Sequence, residues 1–451
     1  MIRYGMRNLM IFMVLTVFCA GQLTAQNNVQ LPELSYKRLL NGLQVTVAET
    51  PYLDDTVTIG LVLRYGSAYD PANKGGLADL VSRMFMKATA ERTAQDIQDE
   101  LAYLGATIEI QCDWDGFRFL LKVHNSQYER SLLLLHQVIG EAQFHQDDFT
   151  SVKEEILREL AKRGDPRQQI YSLFENMLFK DTTYGRPLIG TPETIKNIKL
   201  GDVRYFYHRF FSPSDASLLI VGNVPSSVVL QRASRIWGVW IRKEEVPFTF
   251  LPPSLPKGHQ IFVKDDPESP AAQFILGGLF PPHGNPVYGN ALLASRILQE
   301  RLTNLLPTSL LTVGSQGRRM TGPFFVQGQS AAEQAVDEIQ KILGAVQEMK
   351  TSPISQDELT DAQKQLIDEF MRELNTTEGI CNVMLDAELY RLGSNYAANF
   401  ADSIRRCDTA TVQQTAVDWI LPEGAVLLLM GPADTLKPAL ERLGTYHLLK
   451  P

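Results

Sequence analysis

Asp79, Ser82 and Arg83 lie in the stretch Gly-Gly-Leu-Ala-Asp-Leu-Val-Ser-Arg-Met-Phe-Met-Lys, residues 75–87, at a spacing that puts chemistry on one helix. Leu77, Leu80, Val81, Met84 and Phe85 recur at i, i+3, i+4, i+7 and i+8, one apolar face of an amphipathic helix. Asp79 and Arg83 stand four apart on another face, with Ser82 beside them. A carboxylate at such a place can ligate a metal through oxygen or accept a proton. A guanidinium can do neither, because it has no acceptor lone pair and stays protonated. Ser82 lacks a nucleophile elbow around it. The seven His (124, 136, 145, 208, 259, 283 and 447) include no pair at i, i+3 or i+4, so no helical metal pair is present. Cys112, Cys381 and Cys407 match no zinc spacing either; their odd count allows one internal disulfide, with Cys381 and Cys407 the available pair, and buried thiols are the preferred reading.

The elements that must position these residues follow an α+β plan. Strand patterns cover Gln44–Ala48, Val57–Leu63 and Leu218–Val221, and helical periodicity covers Ala94–Leu104, Tyr128–Glu141, Phe149–Arg163, Ala332–Met349 and Gln356–Leu374. The plan occurs twice. Phe211-Ser212-Pro213, followed by an apolar run ending at Gly222, recurs as Ile420-Leu421-Pro422 with a run ending at Gly431. Ile59-Gly60-Leu61-Val62-Leu63 resembles Phe274-Ile275-Leu276-Gly277-Gly278-Leu279, and Val81-Ser82-Arg83-Met84 parallels Ala294-Ser295-Arg296-Ile297. Matching elements at one offset indicate a duplicated domain. Residues 245–258 are Pro-rich and aperiodic, which reads as a linker between residues 26–244 and 259–451.

Residues 1–25 read as an export signal: Arg3 and Arg7, an apolar core from Leu9 to Ala20, and Leu23-Thr24-Ala25 before cleavage. The core is short for a bilayer span, and no later run is long enough for one. The expected location is the periplasm or the outside of the cell. The remaining chain is long enough for two domains of about 200 residues each. A net charge of −8 without basic stripes excludes nucleic acid as the expected partner.

Several stretches in order resemble the pitrilysin/insulinase family of zinc peptidases. Leu40-Asn41-Gly42-Leu43-Gln44-Val45 is similar to its opening strand, and Gly66-Ser67-Ala68-Tyr69-Asp70 to the approach to its motif helix. Tyr184-Gly185-Arg186-Pro187-Leu188-Ile189-Gly190-Thr191-Pro192-Glu193-Thr194-Ile195 is the most specific match, and Phe206-Tyr207, Phe211-Ser212-Pro213 and Leu219–Val224 complete the first half. The resemblance implies two homologous domains, each a mixed sheet with flanking helices, forming a clamshell. The family's inverted motif, His-x-x-Glu-His, falls on Asp79, Ser82 and Arg83, so both His and the Glu are replaced. The family pattern places the third zinc ligand at Glu159, ahead of Glu155. Asp79 and Arg83 then have two readings: a solvated ion pair worth about 0.3–0.5 kcal/mol, or a structural stand-in for zinc in which Arg83 bridges Asp79 and Glu159.

Family second halves carry Ser-Arg where this first half carries Ser82-Arg83. The Arg-Gly-x-x-Tyr with which inactive subunits grip peptide falls near Leu305-Leu306-Pro307-Thr308-Ser309, where neither Arg nor Tyr is present; Arg318 and Arg319 are the available substitutes. Ala106, Thr107, Ile108, Glu109 and Ile110 sit where family members offer an edge strand to extended peptide. The implied function is a non-catalytic pseudo-peptidase subunit without a cofactor of its own. It would pair as a heterodimer with an active zinc peptidase of the same family, which holds the zinc, and help to enclose peptides. The alternatives are a stand-alone peptide-binding or scaffold protein, and a zinc metalloendopeptidase with unconventional ligands around Asp79 and Glu159.

Overall fold

The computed structural model describes residues 31–162, 164–255, 258–421 and 424–449. The expected export signal, residues 1–25, lies outside them. The first half runs β1 (Glu33–Arg38), β2 (Gln44–Glu49), β3 (Thr56–Leu63), α1 (Leu77–Met84), α2 (Ala94–Leu104), β4 (Thr107–Cys112), β5 (Phe117–His124), α3 (Tyr128–Gly140), α4 (Gln146–Ala161), α5 (Pro166–Leu178), α6 (Pro192–Asn197), α7 (Leu200–Phe210), β6 (Ala216–Gly222) and α8 (Ser226–Trp237). The second runs β7 (Gln260–Asp265), β8 (Ala271–Phe280), α9 (Tyr288–Leu305), β9 (Thr312–Ser315), β10 (Gly322–Ala331), α10 (Ala332–Thr351), α11 (Gln356–Glu373), α12 (Thr377–Leu389), α13 (Tyr396–Arg405), α14 (Thr409–Trp419), β11 (Val426–Gly431), α15 (Ala433–Leu440) and β12 (Tyr446–Leu449).

Each half holds one six-stranded mixed sheet, ordered β1-β2-β6-β3-β5-β4 and β12-β7-β11-β8-β10-β9. Five strands correspond one to one: β2 and β7 run parallel to β6 and β11, and the remaining pairings are antiparallel in both sheets. Only the outer strand differs, β1 being antiparallel to β2 while β12 is parallel to β7. This is the α+β architecture of two homologous mixed sheets with flanking helices, arranged as a clamshell.

Strands β6 and β11 are buried along their whole length and, Ser217 apart, apolar instead of alternating. Continuous apolar strands need cover on both faces, and here the second cover is exchanged between the halves. Helix α12 of the second half packs on β3 and β6, while α5 of the first half packs on β8 and β11. Each crossing helix is seated at a glycine. A Cβ at Gly60 of β3 would lie 2.5 Å from Cys381 Sγ, and one at Gly277 of β8 would lie 2.4 Å from Phe174 Cζ. Ile170, Phe174 and Leu178 of α5 accordingly belong to one apolar core with Ile275, Val426 and Leu428.

Polar contacts reinforce the exchange. Arg118 meets Asp386 at 2.7 Å, Arg64 meets Glu388 at 3.1 Å, and the Thr58 and Thr377 hydroxyls are 2.9 Å apart. Arg318 is buried in an ion pair with Glu175 and lies 3.9 Å from the centre of the Trp114 ring. The Cys381–Cys407 disulfide that the cysteine count allows is not formed, in keeping with the preferred reading of free thiols. Cys381 is buried under β3, Cys407 lies beside Gly289 of α9, and both are free thiols, as is Cys112. Among the described residues no helix is long and apolar enough to cross a membrane.

Candidate functional site

Helix α1 carries Asp79, Ser82 and Arg83, and its start is fixed by a buried carboxylate. The N–H groups of Gly76, Leu77 and Ala78 donate to Asp70 at 2.9, 3.1 and 3.0 Å, satisfying amides that a helix leaves unpaired. Burial pushes the Asp70 carboxyl up, against the pull of those three donors. Gly76 has φ of 89°, and a Cβ there would lie 2.6 Å from the Ile189 carbonyl oxygen, so glycine is required by both backbone and space. The segment from Tyr184 to Thr194 buttresses this turn. Arg186 donates to the Asp70 carbonyl, and Thr194 Oγ1 donates to the Gly75 carbonyl at 2.8 Å.

Helix α1 then packs against α4, α7 and β4. That packing brings Arg83 between two carboxylates. Its Nε donates to Asp79 Oδ2 at 2.9 Å on the same helix, and its Nη1 donates to Glu159 Oε2 at 2.7 Å on α4. Burial raises the Asp79 carboxyl, and Arg83 pulls the other way. Burial also works against the Arg83 charge, but the hydrogen bonds and charges of Glu159 and Asp79 outweigh it, so the guanidinium is held more firmly protonated than usual. Ser82 is buried, and its hydroxyl donates to the Asp79 carbonyl at 2.7 Å. Glu155 takes no part in this cluster. Among the described residues no group of three His, Cys, Asp or Glu is placed to hold a metal ion.

The second half repeats the arrangement. Ser295 Oγ donates to the Ala291 carbonyl at 2.8 Å, and Arg296 of α9 pairs with Glu369 of α11. Leu292 stands where Asp79 stands, so this copy has one carboxylate instead of two. Glu369 was not singled out from the sequence, although the offset of about 210 residues between the halves points to it from Glu159.

Thr107, Ile108, Glu109 and Ile110 lie in β4, which among the described residues pairs only with β5 and forms the edge of its sheet. Ala106 precedes the strand, its N–H donating to the Leu101 carbonyl. The end of β4 adjoins α1: burial raises the Cys112 thiol well above its ordinary range, and Asp113, Asp70 and Asp79 add to the effect. Arg318 and Arg319 are not free to grip peptide. Arg318 is committed to Glu175 and Trp114, and Arg319 donates to the carbonyls of Arg64 and Asp115 at 3.0 Å each. Near the expected grip, α9 ends at Leu305, and Leu305 and Leu310 are exposed.

A duplicated α+β chain of this topology, with the motif-helix site in its first half, defines a class of peptidase-like proteins. A sequence model of the insulinase peptidases, family M16, matches residues 45–192, and the model described as the peptidase M16 inactive domain matches residues 197–366. The chain belongs to the M16 family. It is 26% identical over 229 residues to an uncharacterized zinc protease of Rickettsia bellii, covering 51% of this chain and 55% of that protein. It is 24% identical over 224 residues to zinc protease PqqE of Helicobacter pylori, covering 49% and 50%. A longer alignment, 20% identical over 445 residues, joins it to a probable mitochondrial-processing peptidase subunit beta of Arabidopsis thaliana and covers 92% and 81%. The chain thus spans about half the length of the first curated relatives it matches. In fold it is similar to a crystal structure of a peptidase M16 inactive domain from Pseudomonas fluorescens, with a TM-score of 0.81 and 19% identity over 89% of this chain and 98% of that one. A protease from Helicobacter pylori gives a TM-score of 0.82 and 18% identity over 89% and 100%.

Proposed function

We propose that this chain is a non-catalytic M16 subunit that pairs with an active zinc metallopeptidase of the same family in the cell envelope and helps to form its peptide-binding chamber. The observation that carries the reading is the Arg83 guanidinium lying between Asp79 and Glu159. A zinc ion needs about three protein ligands and an open position. The residues present do not fit one. A dication about 4 Å from a protonated guanidinium would be opposed by roughly 8 kcal/mol, at about 4 kcal/mol per unit-charge pair. Ser82 cannot stand in for a carboxylate base, since a neutral hydroxyl without a base of its own is too weakly basic to take a proton from water. The second half pairs Ser-Arg with a Glu in the same way, so the first half is built like a half in which an ion pair joins the two helices. The zinc chemistry named for the Rickettsia and Helicobacter relatives belongs, in this reading, to the partner.

The peptide-binding share of the reading rests on β4. Its free edge offers main-chain groups to an extended peptide, with alternate side chains pointing to opposite faces. The test is purification of the chain from its native envelope, with mass spectrometry of co-purifying proteins and a zinc assay. The expected result is an M16 peptidase with an intact His-x-x-Glu-His in the complex, and no stoichiometric zinc in this chain alone. A chelator-sensitive peptidase activity that tracks the isolated chain and is lost in Glu159→Ala would overturn the proposal. Amide exchange at residues 106–110 tests the edge: no added protection under excess peptide removes β4 from the account.

A further inference from the structure

Strand β1 closes one side of the first sheet, and its outer edge is unpaired among the described residues. Its sequence, Glu-Leu-Ser-Tyr-Lys-Arg, has two distinct faces. Leu34 and Tyr36 line an apolar groove of about 320 Å³ together with Leu374, Ile380, Val383 and Met384. Tyr36 is 69% exposed there, and the groove is open beside it. Glu33, Ser35 and Lys37 alternate onto the other face. On the inner side Glu33 stands directly opposite Glu49, like against like, and Lys37 stands opposite Val45. Neither the Glu33 nor the Lys37 side chain makes an ion pair among the described residues, so both charges are left to whatever lies outside the strand.

We infer that two copies of this chain associate through β1, antiparallel and about a two-fold axis at Ser35, joining their first sheets into one. Residues directly opposite in an antiparallel pair share a face, so the axis must pass through a residue and not between two. Of the possible centres only Ser35 sets an acid against a base. Glu33 then faces Lys37 of the second copy, and by symmetry the pair occurs twice. Glu49 is engaged by the Ser226 N–H, so the incoming lysine is left to Glu33. On the groove face Leu34 meets Tyr36 of the second copy, extending the apolar wall over the groove. Axes at Leu34 or Tyr36 pair no opposite charges. The contact is one strand wide, at the small end for a specific interface, so the association is a weak one. The inference is independent of the catalytic and partner assignments above, and an M16 heterodimer joined in this way would become a four-chain assembly.

The experiment is cysteine pairing in the purified protein. Opposite residues of an antiparallel pair have Cα atoms about 4.5–5.5 Å apart, within disulfide reach. Ser35→Cys therefore meets its own counterpart and forms a covalent dimer under mild oxidation, whereas Lys37→Cys does not. In sedimentation, Lys37→Glu weakens association about tenfold, and Glu33→Lys with Lys37→Glu restores it to within about threefold, since each change acts at two sites. Residues 33 and 37 are exposed, and circular dichroism verifies that the variants remain folded. A wild-type protein that stays monomeric to about 100 μM overturns the inference. So does equal cross-linking at positions 35 and 37.

Discussion

Replacing Arg318 with Met tests whether the exchanged helix α5 is locked by charge as well as by packing. Glu175 lies in a buried part of α5, and without Arg318 its remaining side-chain donor is the Tyr171 hydroxyl at 3.1 Å. The stranded carboxyl must either stay ionised in a poorly solvated place or take up a proton. For an ordinary carboxylic acid that proton costs about 3–4 kcal/mol at pH 7. Loss of the guanidinium over Trp114, 3.9 Å from the ring centre, adds up to about 2 kcal/mol for a desolvated contact. Met keeps part of the apolar packing, so the expected loss is about 4–5 kcal/mol, at the upper end for breaking a buried ion pair. Its pH dependence carries the argument. An acid held neutral when folded and ionised when unfolded penalises folding most at high pH. The deficit should therefore shrink by about 1.4 kcal/mol per unit as pH falls from 7 toward 5. Urea unfolding followed by tryptophan fluorescence at pH 7, 6 and 5 measures it. Adding Glu175→Gln should recover at least about 2 kcal/mol of the loss at pH 7. A deficit below about 1.5 kcal/mol, or one indifferent to pH, would refute the idea that a lone Glu175 is the problem.

Gly60→Ala should cost about 1–3 kcal/mol, because its Cβ would meet Cys381 Sγ, and Cys381→Ala in the same chain should return about half of that in a denaturation series. Burial lowers the His136 pKa to about 4, so neutral His136 favours the folded state; its contribution is complete above pH 6.5 and lost as pH falls from 6.5 toward 4. His136→Phe should flatten stability across that window by up to about 3 kcal/mol, read from urea midpoints at pH 7 and 4.5. Asp79→His, Ser82→Glu and Arg83→His together should create zinc binding that calorimetry detects and that Glu159→Ala abolishes; binding that survives without Glu159 would show that the site has been misplaced. Ser82 is buried, so the Glu introduced there should itself cost about 1–2 kcal/mol of stability.

Regular elements were legible where periodicity was long and capping chemistry local. The pattern over Ala94–Leu104 coincides with α2, whose Thr93 and Asp96 form a capping box, and that over Gln356–Leu374 ends one residue beyond α11. The pattern over Phe149–Arg163 starts three residues late, because Gln146, Asp147 and Asp148 open α4 without an apolar residue. What the pattern could not convey is which sheet a helix covers. Periodicity identifies a buried face, but α5 and α12 bury theirs against the opposite half. Glu175 and Arg318 are 143 residues apart, so nothing local marks Arg318 as interior. Asp79 and Arg83 were placed on one helix face by their spacing alone. The nearness of Glu159 depends on how α1 packs on α4, which spacing does not encode. The repeat did encode the topology, since five strands and both crossing helices recur at nearly one offset.

The exchange of α5 and α12 makes each half unfinished by itself. Cut in the loop after α8, either fragment would expose the apolar row of one sheet face together with a helix that has nothing to cover. Neither fragment should be stable alone, yet the two should reassemble when mixed. A single half of this kind could cover its sheet only in a symmetric pair, each copy lending a helix and borrowing one. With both copies in one chain, the mutual loan of helices holds the molecule together whatever residues each motif helix carries.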